Sequence, residues 1–314
     1  MQTSVSSGMT QTQSTKRRGR SAGLQSREAL AGYAFILPAL LTLTIFLILP
    51  ILASAVLIFM EYDILSPAKW VGLANLKRLV SDNRMLLIYR NTLVFVVGAT
   101  FLNNIGGLML AMGVNRAMPG VMRYLLRTAI FFPVLTTTAS LALVWQFLLT
   151  QDRGVINYLL SQIGVDPVPW LSSSTWALRS VILYDVWKSL GFLMVLYLAG
   201  LQGIPESLYE AARIDGANRW QLTRYVTLPL ITPTAFFAIV ISLIGAGQVF
   251  DNAFVLTGGG PGDASRLIVL YIYEVGFKRF EMGYAAALSL TLFAILIALT
   301  MLQFVMARRW VHYE

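Results

Sequence analysis

Asp185 and Lys188 stand three residues apart inside a long apolar run. That spacing puts them on one face of a helix, where their charges can neutralise each other. Ionisable groups at mid-membrane depth cost roughly 3 kcal/mol or more, so they face a cavity or a partner. Gln248, Asp251 and Asn252 fall in the outer half of a second apolar run, and Asn103, Asn104 and Thr136 to Thr138 inside two others. Each polar group has two readings. One is an interhelical hydrogen bond, worth ~0.6 kcal/mol on average. The other is a place on a path for a polar solute, where Ser189 adds a hydroxyl and Trp187 and Phe192 add aromatic faces. Asn103 and the three threonines are assigned to the first reading, and Asp185, Lys188, Ser189, Gln248 and Asp251 to the second. The chemistry is binding rather than bond-making. Cys is absent, which excludes thiolate nucleophiles, disulfides and thiolate metal sites. The single histidine, His312, lies next to the C-terminus, and no set of residues suggests a metal centre or an enzyme.

These groups need long helices to hold them. The chain has 314 residues, 57% hydrophobic and 12% charged, too apolar for an ordinary soluble domain. A hydrocarbon core of ~30 Å needs about 20 apolar residues as helix. Six segments qualify, roughly 33–60, 90–114, 126–149, 175–201, 231–256 and 283–307. The expected fold class is an all-α integral membrane protein with six transmembrane helices, because backbone groups in lipid must be satisfied within their own segment. Residues 1–30 are set apart as a basic tail with Lys16, Arg17, Arg18 and Arg20 clustered, and disorder is expected there. The membrane domain is expected to fill 31–314. The apolar run behind the tail is far longer than the core of a signal peptide and reads as a retained span.

A net charge of +9 is also what a nucleic-acid binder would carry, but the excess here flanks the spans. With the N-terminus inside, thirteen Lys and Arg lie on the inner segments and ten on the outer, with Lys188 inside a span. The tail cluster before the first span points the same way. Residues 203–230 then lie in the cytoplasm. On the other side, residues 61–89 carry an amphipathic helix ending near Val80. Residues 257–282 open on a Gly-rich turn and continue as Leu267 to Phe280, too short to span and read as a re-entrant or interfacial helix.

The polar stretch between the fourth and fifth spans is unlike its neighbours. Ile204, Leu208, Ala211, Ala212 and Ile214 fall near helical spacing, with Pro205 at the start. Gly216 permits a sharp turn, and a second short helix runs from Asn218 toward Thr227 before Pro229 and Pro233 open the next span. Two short helices joined at a glycine would lie on the membrane surface, either as an anchor or as a docking element.

The full string resembles the cytoplasmic coupling loop of ATP-binding-cassette import permeases: Glu-Ala-Ala, three residues, Gly, nine residues, Ile, one residue, Leu-Pro. Glu210, Ala211, Ala212, Gly216, Leu228 and Pro229 match, Asp215 precedes the glycine, and Val226 replaces the Ile. Trp70 to Asn75, Trp187, Leu198 to Pro205, Asp251 to Phe254, Leu256 to Pro261 and Tyr271 to Tyr273 look like the carbohydrate-uptake branch, over roughly 33–314. Length and the short second outer loop look like the glycerol-3-phosphate and multiple-sugar type. A maltose-type permease with a large inserted outer domain is a poorer match. The resemblance implies a bacterial cytoplasmic (inner) membrane protein with both termini cytoplasmic. It implies a second permease, a cytoplasmic ATPase dimer that binds the ATP, and an extracytoplasmic substrate-binding protein. The permease would hold no cofactor of its own, and no phosphate-binding Gly-x-x-x-x-Gly-Lys-Ser/Thr loop occurs. The sugar would pass residues on the spans flanking the loop: Asp185, Trp187, Lys188, Ser189, Phe192, Gln248, Asp251 and Asn252. The competing reading is an ion-gradient-driven transporter of a small polar solute, which requires an internal repeat and helices interrupted at mid-membrane. No convincing repeat is visible.

The topology is open to test, because a chain without cysteine accepts single introduced ones. A cysteine at Ser161 should react with an impermeant maleimide on intact cells and one at Ser207 should not; labelling at Ser207 from outside would overturn the orientation.

Overall fold

The computed structural model describes residues 18–116 and 119–311, with the backbone alone for 18–28. His312 lies outside the described residues, as do residues 1–17 of the expected tail; from Arg18 onward the backbone is helical. The chain divides into two compact units at Val56/Leu57. The first holds α1 (Arg18–Leu43), a π-helical turn (Thr44–Ile48) and most of α2 (Leu49–Leu57). Its apolar side chains are of the kind that lipid solvates.

The second unit begins with a two-residue hairpin, β1 (Met60–Glu61) against β2 (Lys69–Trp70), and α3 (Ala74–Ser81). Its long elements are α4 (Met85–Val114), α5 (Gly120–Leu135), α6 (Thr138–Leu148), the short α7 (Val155–Ser161) and α8 (Ala177–Gln202). Next come α9 (Glu206–Ile214), α10 (Arg219–Leu222), a π-helical turn (Thr223–Thr227) and α11 (Leu228–Leu230). The chain closes with α12 (Thr232–Gly247), α13 (Asp251–Leu256), α14 (Ile268–Tyr273) with its π extension Glu274–Lys278, and α15 (Met282–Ala307).

The fold is the expected all-α membrane class. Four helices are long and apolar enough to cross a membrane: Ala29–Leu57, Met85–Val114, Ala177–Gln202 and Met282–Ala307. The other two expected spans are not single helices. Between α5 and α6 the axis bends by 103°. Pro133 removes one donor from the helical ladder, and Thr136 and Thr137 then turn extended (ψ 149° and 136°), as β-branched residues with competing hydroxyls readily do. The expected span 231–256 ends at Gly247, after two glycines in three residues have weakened the helix, and restarts as α13. A second bend, of 63°, separates Arg219–Leu230 from α12, so six spans are reached only if each bent pair counts as one.

Packing fixes the relative directions within this unit. Gly98 meets Ile182, Gly106 meets Leu190 and Gly107 meets Leu193, so α4 and α8 run parallel. Gly191 of α8 meets Ile130 of α5, while Trp145 of α6 meets Tyr184 further back along α8, so the α5–α6 pair runs the other way. Gly200 faces Thr234 and Asp185 faces Asn252, which makes α12 and α13 antiparallel to α8. Glycine at these crossings lets backbones approach closely, the usual device where lipid gives no hydrophobic drive between helices. The α9–α10 segment and the C-terminal end of α4 therefore share one end of the unit. At the other end, Leu267 to Phe280 is not a lone surface helix. Ile268, Leu270, Tyr271 and Val275 are buried, and Ile268, Tyr271 and Val275 share a cluster with Ile88, Tyr284 and Leu288. Arg84 ties it down by two hydrogen bonds to Asp263 (2.7 and 2.8 Å), and Arg266 pairs with both Asp263 and Glu274. The hydrogen bonds from Arg84 hold the Asp263 carboxyl below the usual carboxylate range.

Gly191 gives a direct packing test. A Cβ there would sit 2.3 Å from the Ile130 carbonyl oxygen, whereas one on Gly98 would meet Ile182 at an ordinary 3.5 Å. Gly191→Val should destabilise the detergent-purified protein by ~1–3 kcal/mol or more, and Gly98→Ala should be neutral or slightly stabilising, both read from thermal unfolding.

Candidate functional site

Two polar constellations stand out. The first is the α9–α10 segment. Pro205 precedes α9, and α9 ends in a Schellman closure. Ala217 N–H donates to the Ala212 carbonyl (2.9 Å), Gly216 N–H to the Arg213 carbonyl (3.0 Å), and Gly216 has φ +84°. Two residues later the Asn218 side chain accepts from Gln221 N–H (3.0 Å) while the Gln221 side chain accepts from Asn218 N–H (2.7 Å), a complete capping box. One helix stop and one helix start are thus joined through Ala217 alone, which fixes the angle between α9 and α10. Tyr209 and Thr227 hydroxyls, 3.1 Å apart, tie α9 to the π turn before α11, which contains Leu228 and Pro229.

On this frame Glu210 is exposed and has no hydrogen bond or ion pair among the described residues. Arg213, three residues on and so within reach on the same helix face, bonds Glu206 instead, at 3.0 Å. Ala211 and Asp215 are exposed and Ala212 half-buried. Ile214, Trp220 and Tyr225, 86%, 71% and 74% exposed, lie on the same segment. Sequence reasoning used Ile214 only for its helical spacing and passed over Trp220 and Tyr225, although large apolar residues in an otherwise polar stretch were a readable signal.

The second constellation sits between α4, α8 and α13. Asp185 is buried, and its two carboxyl oxygens accept from Asn252 Nδ2 (2.8 Å) and Asn103 Nδ2 (3.2 Å). Asp185 and Lys188 form no ion pair among the described residues, which corrects the expected pairing. Two amide donors from neighbouring helices already satisfy the carboxyl, and Lys188 is only half-buried, its long stem free to carry the charge elsewhere. Asn103 does make the interhelical bond expected of it, but to the central carboxyl. Thr136 to Thr138 depart from that expectation, since the Thr137 hydroxyl bonds locally to Ser140 and the Thr138 backbone carbonyl receives the Tyr184 hydroxyl (2.6 Å). Next to the cluster, Asn104 donates to Ser242 (2.7 Å) and accepts from Tyr197 (2.8 Å), linking α4, α8 and α12.

The remaining residues assigned to a solute path divide by exposure. Gln248, in the break between α12 and α13, and Asp251 are exposed, as are Trp187 and Phe192, while Ser189 is half-buried. Trp187 stacks near Trp145 (5.3 Å) and Tyr184 (6.4 Å), an aromatic group that sequence spacing alone could not assemble from α6 and α8.

Residues 103–312, from the mid-α4 asparagines past α15, match the family described as the binding-protein-dependent transport system inner membrane component. The chain belongs to that family. As an inner-membrane permease of this kind it has near-full-length relatives. It is 36% identical over 293 residues to the probable ABC transporter permease protein YesP of Bacillus subtilis (strain 168), spanning 92% of this chain and 94% of that one. It is 34% identical over 278 residues to the trehalose/maltose transport system permease protein MalF of Thermococcus litoralis, spanning 88% and 93%. That relative has no room for a large insert missing here. Among solved structures, a bacterial alginate ABC transporter in complex with an alginate pentasaccharide-bound periplasmic protein superposes with a TM-score of 0.79 at 27% identity, covering 90% of this permease and 96% of that chain.

The buried carboxyl predicts a graded series. Asp185→Asn turns one accepting oxygen into a donor facing an amide donor, and should cost the permease ~1.5–3 kcal/mol of stability. Adding Lys188→Gln should not rescue it. Recovery of folded yield in the double variant would show that the two side chains pair after all.

Proposed function

We propose that this permease is one of two membrane subunits of an ATP-driven importer for a sugar or related polyol, and that the α9–α10 segment is its coupling loop to a cytoplasmic ATPase. The observation that carries this is Glu210, a carboxylate with no partner among the described residues, followed by the small Ala211 and Ala212, on the same segment as exposed Ile214, Trp220 and Tyr225, whose angle is set by backbone closures. Such a surface suits a protein groove that brings a guanidinium to Glu210 and covers the aromatics. The alternation of helix directions supports a single cytoplasmic end for this segment and for the C-terminal end of α4, in agreement with the charge count.

The sugar class rests on the similarity to a trehalose/maltose permease and to an alginate transporter. The path is assigned to Trp187, Lys188, Ser189, Phe192, Gln248 and Asp251, with Asp185 and Asn252 holding α13 in place behind them. Aromatic faces beside hydroxyl-binding groups suit a polyhydroxylated solute. A binding protein delivers the substrate from outside. Closure of the ATPase dimer then shifts the permease from inward-open to outward-open through differential contacts with the loop. The helix interruptions that an ion-driven transporter requires are present, but a break is equally what a solute-lined cavity tolerates. Energy source discriminates the two readings: uptake into inside-out-corrected vesicles should need ATP and the ATPase subunit, and uptake driven by an ion gradient alone would favour the second.

Docking should depend on Glu210. Glu210→Ala should insert normally, lose ~2–5 kcal/mol of docking energy because the partner cation is left unpaired, copurify poorly with the ATPase and lose uptake. Wild-type copurification and uptake would remove the loop from the coupling role. Gly216→Val, which forces a β-branched residue to positive φ, should uncouple ATP hydrolysis from uptake while the spans still insert.

A further inference from the structure

Between the first turns of α4 and α8, at the end of the unit opposite the α9–α10 segment, lies a cavity of about 830 Å³. Its lining divides sharply by chemistry. Leu87 and Val94 of α4 and Leu178 and Ile182 of α8 give it an aliphatic wall, which continues along the parallel helices where Gly98 meets Ile182. Arg90, Arg179 and the hydroxyl run Ser172 to Thr175 supply the polar part.

Neither arginine is neutralised. Arg90 has no hydrogen bond, ion pair or ring contact among the described residues. Among the described residues, the one contact of the Arg179 guanidinium is the Trp176 ring, 5.2 Å from its carbon. The carboxylate on the adjoining loop, Asp263, is already held by Arg84 and Arg266, and Asn91 spends its amide on the Asp263 and Arg266 carbonyls. The α8 terminus adds to the positive field. Its first turn holds no acidic residue, Trp176 gives no side-chain cap, and Arg179 places a cation where the helix dipole disfavours one. Within the hydroxyl run, Ser172 donates to Gln151 (3.3 Å) and Ser173 accepts from Thr175 N–H (3.2 Å), which leaves the Ser174 and Thr175 hydroxyls without a partner among the described residues. Two unpaired guanidiniums beside a helix terminus with no acidic residue and no side-chain cap call for an anion, and the aliphatic wall beneath calls for a hydrocarbon chain.

We propose that this cavity is a binding site for an anionic phospholipid, with the phosphate between Arg90 and Arg179 and an acyl chain along the α4–α8 groove. A soluble phosphate would have no use for the aliphatic wall, and a docking protein none for its continuation into the membrane-spanning part of the helices. The site requires only that α4 and α8 cross the bilayer, and does not depend on the transport mechanism proposed above.

The test is native mass spectrometry of the full-length protein, purified with its associated subunits, delipidated and titrated with palmitoyl-oleoyl phosphatidylglycerol or phosphatidylcholine in detergent. Phosphatidylglycerol should be retained and phosphatidylcholine should not. Near an anionic headgroup a surface cation is worth ~1 kcal/mol, so Arg90→Gln and Arg179→Gln should each weaken retention roughly five-fold and the double variant roughly thirty-fold. Arg90→Lys and Arg179→Lys, with the charge kept, guard against loss by misfolding and should retain most of it. Arg153→Gln, an arginine elsewhere on the outer loops, should retain all. Three outcomes would overturn the proposal: displacement of the lipid by millimolar glycerol phosphate, which makes the ligand a soluble anion; unchanged lipid retention in the double variant with weakened docking of the periplasmic binding protein; and no lipid retained by the assembled protein, which means a subunit covers the cavity.

Discussion

No water reaches the hydrocarbon core of a bilayer, so a peptide group or polar side chain placed there must find its partner in the protein. The rest of this structure depends on that constraint. It forces the backbone into helix wherever the chain is apolar, and it makes each interruption of a helix a local problem with a visible answer. At the α5–α6 bend the exposed Thr138 carbonyl receives the Tyr184 hydroxyl. At the α12–α13 break, Asn252 at the start of the new helix donates to Asp185. Asp185 is itself tolerable in the interior because Asn103 supplies the second donor.

The same carboxyl thus joins three helices far apart in sequence. Asn103 lies on α4, Asp185 on α8 and Asn252 on α13, and the neighbouring Asn104–Tyr197–Ser242 chain adds α12. Glycines at the crossings bring the backbones close enough for such short side chains to meet. A polar cluster of this kind gives direction as well as adhesion, since hydrogen bonds hold one register where apolar contacts between lipid-facing helices would allow several. It also anchors the start of α13 directly after the Gln248–Phe250 break.

The two ends of the bundle are built differently. At one end α9 and α10 are fixed by backbone closures and present side chains that nothing among the described residues satisfies. At the other, Arg84, Asp263, Arg266 and Glu274 satisfy one another and bind the α14 segment into the bundle. That set of four charged side chains serves as a scaffold. An end that leaves a carboxylate and three large apolar side chains unsatisfied is shaped for contact with something else.

Much of this was written in local patterns. Long apolar runs specify helices in lipid whatever surrounds them, and Gly216 followed by Asn218 specifies a helix stop and start because both devices act within a few residues. The Glu210–Pro229 string was therefore legible, and with it the family. The breaks at Thr136–Thr137 and Gln248–Phe250 were not, since hydropathy counts apolar residues and is blind to a kink that leaves composition unchanged. The partner of Asp185 was not legible either. Sequence spacing offered Lys188 at i+3, but the donors came from Asn103, 82 residues before, and Asn252, 67 after. Local spacing decides which groups share a helix face; only the packing of helices decides which of them reach one another, because that depends on crossing points set by the whole bundle.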